Sequence, residues 1–324
     1  FEIQPDGTKK AVYDFRFGCD EMWNWSKARF DKYYEDCTNI YYDVIIIVLK
    51  MYENKKIGFI GGGMVAEAII RGLILHGHNA ANIYVSDPSE KRRELLSILN
   101  KKLNIDVSNN TTVEQSEIVI MAVKPQVFIS VAEDIKISQS QQNTMIMSVA
   151  AGIEMKQMQN IFGDKTKICR VMPNTPCLVG QGISALIQSN LSESEIVLAT
   201  YIFNSVGKTI WIQDEEWMHT ITAVSGSGPA YFFHMMNVLK LAGNKAGIPE
   251  EISKALAIQT ALGASHLALN SSDDLETLKK KVMSPGGTTE AAFDSLIENK
   301  LDKIWEEAIA SAKQRSIELG DQED

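Results

Sequence analysis

The chain has 324 residues, 45% of them apolar and 23% charged, with a formal net charge of −9 at pH 7. That length allows two domains and a well-buried core, and the composition is ordinary for a soluble globular protein. The acidic balance argues against nucleic acid, which needs a concentrated basic surface, and no apolar run is longer than Val44 to Leu49, far too short to span a bilayer.

No basic-then-apolar leader opens the sequence, so we expect no secretion. Cys19, Cys37, Cys169 and Cys177 form no CxxC pair, and the five histidines are scattered. That spacing predicts neither a metal site nor a disulfide framework, and a cytoplasmic setting follows as the expectation.

Residues 1–50 carry eleven of the twenty-five aromatic residues, among them Trp23, Trp25, Tyr33, Tyr34, Tyr41 and Tyr42. The chain begins with Phe1, and Met51 stands just before the first clear strand. We expect an appended segment outside the catalytic unit; the alternative is an extension that docks on a partner. So many aromatics argue against fully solvated disorder.

Lys56 to Ile60 is a short apolar run suited to a buried parallel strand. It leads into Gly61-Gly62-Gly63-Met64-Val65-Ala66, a G-x-G-x-x-A pattern. The first glycine permits a tight turn, the second lets backbone approach a pyrophosphate, and the small sixth residue lets helix and strand pack closely. Val65, Ile69, Ile70, Leu73 and Ile74 continue as the apolar stripe of a helix whose N-terminus would present N–H groups to phosphate.

A second strand, Asn82 to Val85, ends at Ser86-Asp87-Pro88. An acid about 20 residues beyond the glycines usually holds the ribose hydroxyl of NAD. Ser86 with Lys91, Arg92 and Arg93 could instead receive a 2′-phosphate, so the expected cofactor is NADPH, with NADH as the alternative; the plain alternative for the three basic residues is a solvated helix face.

Strand-like runs follow at Glu117 to Val123, Thr144 to Val149, Ile168 to Met172 and Ile183 to Ile187. They alternate with helical stretches such as Lys91 to Lys101 and Glu154 to Ile161. This predicts an α/β N-terminal Rossmann-type doubly wound sheet, with ligand at the carboxyl ends of the strands. Lys124, stopped by Pro125 at one such end, would face the crevice.

After about Trp211 the β-rich runs stop, and an all-helical region is expected. Ser225 to Tyr231 opens a helix running to about Ala246, with Pro229 in its first turn. Helices follow over Glu250 to Leu269 and along the stripe of Leu301, Ile304, Trp305, Ala308, Ile309 and Ala312. The small residues Ala255, Ala257, Ala261, Gly263 and Ala264 would allow close approach, so these helices are expected to pack on a second copy of the chain. Between two helices lies Ser284-Pro285-Gly286-Gly287-Thr288-Thr289. Its glycines, the N–H groups of the next helix and two hydroxyls suit a carboxylate beside a nitrogen; the plain alternative is a helix cap after a tight turn.

Gly58 to Met64, Val123 to Gln126, Arg170 to Pro176, Thr222 to Tyr231 and Ser284 to Thr289 together resemble, in the right order, the pyrroline-5-carboxylate reductase family. The resemblance covers about Met51 to the C-terminus. It implies a Rossmann domain over 51–214 and a helical dimerisation and substrate-binding domain over 215–324, a homodimer whose copies can assemble further into a decamer, and NAD(P)H-dependent reduction of 1-pyrroline-5-carboxylate to L-proline. It also implies that Gly61, Gly63, Met64, Ser86, Asn109, Ala122, Val123, Lys124 and Ala151 line the cofactor. Glu215, Gly287, Thr288 and Thr289 would bind the substrate, with Thr289 catalytic through its hydroxyl.

Three positions depart from the family pattern: His219 stands where an acid is usual, Ser272 near a frequent glutamate, and Gln181 in place of a common glutamate. Two other readings stay open. A 3-hydroxyacid dehydrogenase would need a lysine base, for which Lys240 or Lys245 would have to serve. A non-catalytic dinucleotide-binding regulator would have no need of the Ser284–Thr289 run.

Overall fold

The computed structural model describes residues 2–3, 9–10, 52–140 and 144–321. The chain divides into two compact units, Phe1–Met51 and Tyr52–Asp324. Within the first unit, Glu2–Ile3 and Lys9–Lys10 pair as a two-residue antiparallel ladder. The aromatic cluster expected there, the run Val44 to Leu49, Cys19 and Cys37 lie outside the described residues.

The second unit opens with a parallel sheet. Strands β1 (Ile57–Ile60), β2 (Ile83–Ser86), β3 (Asn104–Asp106), β4 (Ile118–Met121), β5 (Met145–Ser148), β6 (Ile168–Met172), β7 (Gly182–Ser189) and β8 (Gly207–Trp211) lie in the order β8-β7-β6-β5-β4-β1-β2-β3. Helices α1 (Met64–Leu75), α2 (Glu90–Leu99), α3 (Asn109–Glu114), α4 (Pro125–Ser140), α5 (Met155–Phe162) and α6 (Glu193–Asn204) connect them. Strands β1, β4 and β5 are buried at every position, as parallel strands covered on both faces must be. On one face Ile60, Val119, Met121 and Ile146 pack with Phe128, Ala132, Met158 and Phe162 from the helices.

One step departs from simple strand–helix alternation: β6 and β7 pair antiparallel, with Arg170 opposite Ile187. Only the short turn Thr175–Val179 joins them, and no crossover helix fits there, so the chain folds back as a hairpin. The edge strands β3 and β8 escape sequence reading because one is polar and the other alternates between half-buried and exposed positions.

Beyond β8 the chain is helical: α7 (Trp217–Ile221), α8 (Gly228–Lys245), α9 (Glu250–Leu269), α10 (Leu275–Val282), α11 (Thr288–Glu298) and α12 (Leu301–Asp321). Between α7 and α8 the backbone widens into a π-helical turn, Thr222–Gly226, a distortion frequent at functional sites. A Cβ on Gly226 would lie 2.6 Å from Met172 Cε, so this turn packs on the end of β6. Helices α8 and α9 expose Phe232, Phe233, Leu239, Ile252, Leu256 and Leu262. Tyr231 meets Trp305 of α12 edge-on, with ring centroids 5.4 Å apart.

His78 gives the sheet region a pH dependence. It is buried, its Nδ1 lies 3.2 Å from the Tyr201 hydroxyl, and among the described residues its Nε2 has no hydrogen-bond partner. Burial pulls its pKa from 6.5 to about 4. The unfolded chain therefore takes up a proton that the folded one resists, so stability falls as pH drops from 6.5 towards 4. In urea denaturation the wild-type protein should lose more stability between those limits than a His78→Phe variant. Equal losses would remove His78 as the cause.

Candidate active site

The glycine turn is tight on one side and open on the other. Gly61 has φ +93°, and a Cβ there would lie 2.8 Å from Ala122 O and 3.2 Å from Val123 Cγ1. The end of β1 is thus pressed against the end of β4, and only glycine fits. A Cβ on Gly63, by contrast, would meet nothing within 4 Å. Gly63 is the N-cap of α1 and, as glycine, offers no side chain to hold the first N–H groups of the helix. The first bond within the helix is Glu67 N to Gly63 O at 2.9 Å, so the N–H groups of Met64, Val65 and Ala66 precede it. Such a terminus fits the pyrophosphate of a dinucleotide.

The next residues of the crevice assemble around this turn. Ser86 is buried and its hydroxyl donates to Asn109 Oδ1 at 2.8 Å. Asp87 is taken by the backbone: Oδ2 accepts from Gly62 N and Oδ1 from Ser89 N, each at 2.8 Å. Arg92 donates to the carbonyls of Gly62 and Gly63 and pairs with Glu67. Arg93 donates to the carbonyls of Asp87, at 2.8 Å, and Pro88, at 3.0 Å. Of the three basic residues read as a 2′-phosphate grip, Arg92 and Arg93 brace the turn, and only Lys91 is exposed without such bonds. Met64 and Lys124 are exposed at the starts of α1 and α4, and Ala151 is exposed in the turn after β5. That turn meets the end of α12, where a Cβ on Gly320 would lie 3.2 Å from Gly152 O.

The Ser284–Thr289 run forms a separate feature. Gly286 has φ +70°, and its N–H is held by Glu290 Oε2 at 2.6 Å, while Gly287 N donates to Ser284 O at 2.8 Å. The first bond within α11 is Ala291 N to Gly287 O, 3.2 Å. The N–H groups of Thr288, Thr289 and Glu290 therefore stand ahead of the helical ladder. Among the described residues, neither threonine hydroxyl has a hydrogen-bond partner, and outside the ladder of α11 the bonds of this run stay within residues 284–291. None joins it to the glycine turn.

Glu215 sits elsewhere, against the sheet. Its Oε1 accepts from Arg170 at 2.6 Å and from Met155 N, the first residue of α5, at 2.8 Å. Sequence reading missed Arg170 as a site residue; an arginine inside a strand otherwise buried and apolar was the available signal. It also missed Asn174, which accepts from Ile183 N at 2.9 Å and donates to Ser225 O at 3.2 Å, fastening the hairpin to the π turn. His219 is buried, with Nδ1 3.1 Å from Ser316 Oγ and Nε2 3.9 Å from Glu154. That departure serves the packing of α12. Gln181 and Ser272 are exposed.

A Rossmann-type sheet with a glycine turn after its first strand, followed by a helical region, is the plan of a dinucleotide-dependent oxidoreductase. Residues 215–319 match the family model described as pyrroline-5-carboxylate reductase dimerisation, and residues 56–152 match the one described as NADP oxidoreductase coenzyme F420-dependent. The chain is 38% identical over 270 residues to the pyrroline-5-carboxylate reductase of Pseudomonas aeruginosa, spanning 82% of this chain and 97% of that one. The solved structure of the Coxiella burnetii pyrroline-5-carboxylate reductase superposes with a TM-score of 0.78 at 33% identity, covering 82% of this chain and 98% of that one. The Plasmodium falciparum pyrroline carboxylate reductase, solved with NADP bound, gives 0.74 at 32% identity, covering 83% and 99%. The chain belongs to the pyrroline-5-carboxylate reductase family.

Proposed function

We propose that the protein reduces 1-pyrroline-5-carboxylate to L-proline with NADPH, or with NADH as the alternative donor, as the last step of proline synthesis. The observation that carries this reading is one chain holding both an uncapped glycine turn and the open Ser284–Thr289 turn, within a match over 82% of its length to reductases of this substrate. A bound nicotinamide cofactor supplies the hydride. The residues of the chain orient its acceptor: a protonated cyclic imine is already electrophilic, so placement at near-attack distance is the main requirement. In this reading the N–H groups after Gly287 take the substrate carboxylate, and the Thr289 hydroxyl meets the ring nitrogen. Gly61, Gly63, Met64, Ser86, Asn109, Ala122, Val123, Lys124 and Ala151 line the cofactor, and Glu215 stands near the substrate.

Domains at 51–214 and 215–324 accord with the dimerisation match beginning at residue 215. The exposed apolar residues of α8 and α9 support a homodimer built on that domain, with dimers able to assemble into a decamer. A single-chain mass by sedimentation would overturn the dimer. Among the described residues no helix is long and apolar enough to cross a membrane. We place the protein in the cytoplasm, in keeping with the free, buried Cys169 and Cys177; recovery of the tagged chain from a secreted fraction would overturn that. The hydroxyacid-dehydrogenase alternative is weakened because Lys240 is paired with Glu250 at 3.1 Å.

The deciding experiment follows NADPH and then NADH oxidation by absorbance, with 1-pyrroline-5-carboxylate as the only acceptor. Turnover supports the reductase, and the ratio of rates assigns the cofactor. A folded, NADPH-binding protein with no turnover sinks the reading and favours a binding-only regulator.

A further inference from the structure

Among the described residues, Arg170 is the only buried lysine or arginine. Its side chain is 5% exposed, in a strand whose neighbours are Ile168, Cys169 and Val171. A charge in such a place needs a partner, and a well-packed apolar pair would serve stability as well or better. The sheet register sets Arg170 opposite Ser148, the last residue of β5, which directly precedes the turn at Ala151, so Arg170 lies at the carboxyl edge of the sheet. Ligands of open α/β sheets bind along that edge.

The pairing is one-sided. An arginine and a carboxylate joined only for strength favour two parallel bonds, one to each oxygen. Here Arg170 and Met155 N both donate to Oε1 of Glu215. Among the described residues Oε2 has no hydrogen-bond partner, and the Glu215 side chain is 29% exposed. The carboxylate is therefore fixed by one oxygen and left with an available, negatively charged second one.

We propose that Arg170 is a positioning residue for the reaction: it holds the Glu215 carboxylate by Oε1 so that Oε2 faces the protonated nitrogen of the substrate ring. This rests on the reductase reading above. Arg170 touches neither substrate nor cofactor; it acts through Glu215.

The test uses the full-length chain and four variants: Arg170→Met, Arg170→Lys, Glu215→Gln and the double Arg170→Met/Glu215→Gln. Arg170→Met should lower kcat about twentyfold, with NADPH affinity within about twofold of wild type, and Arg170→Lys should recover most of the loss. The double variant should be no slower than Glu215→Gln alone, because once the charge of Glu215 is gone Arg170 has nothing left to orient. A merely structural pair would couple in the same way, so the discriminating readout is the fall in kcat with NADPH affinity held, which loss of folded structure would not give. Wild-type kcat in either single neutral variant overturns the proposal. So does a double variant about tenfold or more slower than Glu215→Gln, which would mean independent effects. If Arg170→Met alone does not fold, the comparison of the double variant with Glu215→Gln decides. Wild-type protein without turnover would instead sink the reductase reading itself, so the two failures are distinct.

Discussion

Thr289→Ala is expected to lower kcat by about 10- to 100-fold while leaving NADPH affinity within about twofold, because a hydrogen bond to a charged group contributes roughly 1.5–3 kcal/mol. Thr289 is half-buried in the first turn of α11, and its hydroxyl has no partner among the described residues. Removing it therefore breaks no bond of the folded protein, so a change in rate reports on the ligand. Thr289→Ser, which keeps the hydroxyl, should retain most of the activity. Steady-state kinetics with varied substrate, together with NADPH titration by fluorescence, check both parts. A Thr289→Ala variant turning over at the wild-type rate would remove the hydroxyl from the mechanism and leave the backbone of α11 as the substrate's only anchor there.

Gly61→Ala should weaken NADPH binding about 30-fold, which corresponds to roughly 2 kcal/mol of strain at the turn. Two effects add. The φ of +93° is unfavourable for any residue with a Cβ, and that Cβ would stand 2.8 Å from the carbonyl oxygen of Ala122. Backbone cannot swing aside as a side chain can. To relieve the contact the β1 end must move away from β4, carrying with it the free N–H groups at the start of α1. Gly63→Ala is the informative comparison: its Cβ meets no protein atom within 4 Å, so any loss there comes from collision with the cofactor. Equal NADPH affinity in Gly61→Ala and wild type would show that the turn does not hold the cofactor.

Much of this was readable in the order of residues. The β1, β4 and β5 strands stand out as continuous apolar runs because both faces of a parallel sheet are covered. Helix α9 has the predicted bounds, Glu250–Leu269, since Pro249 precedes it and the apolar period continues without a break. The glycine turn was legible because its need for a left-handed residue and close approach is a local, backbone-level demand. The Ser284–Thr289 turn was legible for the same reason, although not that Glu290 would hold the Gly286 N–H.

The basic residues after β2 illustrate the opposite case. Three cations in a row read equally well as a phosphate grip or a solvated face, and the structure gives two of them a third role, bracing Gly62, Gly63, Asp87 and Pro88. Ser86 and Asn109 were both expected to line the cofactor, and the structure adds a bond between them that the sequence does not show. A hydroxyl's partner depends on which strand end lies beside which helix start, and that is settled only when β2 and α3 pack.

By itself, then, the sequence determined the period of each element, the positions where only glycine serves, and the family to which those motifs belong. These are local properties, set by backbone sterics and by the spacing of apolar side chains along one element. Only the tertiary structure decided that β6 and β7 run antiparallel, that a π turn locks onto Asn174, and that Arg170 meets Glu215 45 residues away. Those outcomes depend on which surfaces dock, because a buried charge or an unpaired amide finds its partner in space and not along the chain.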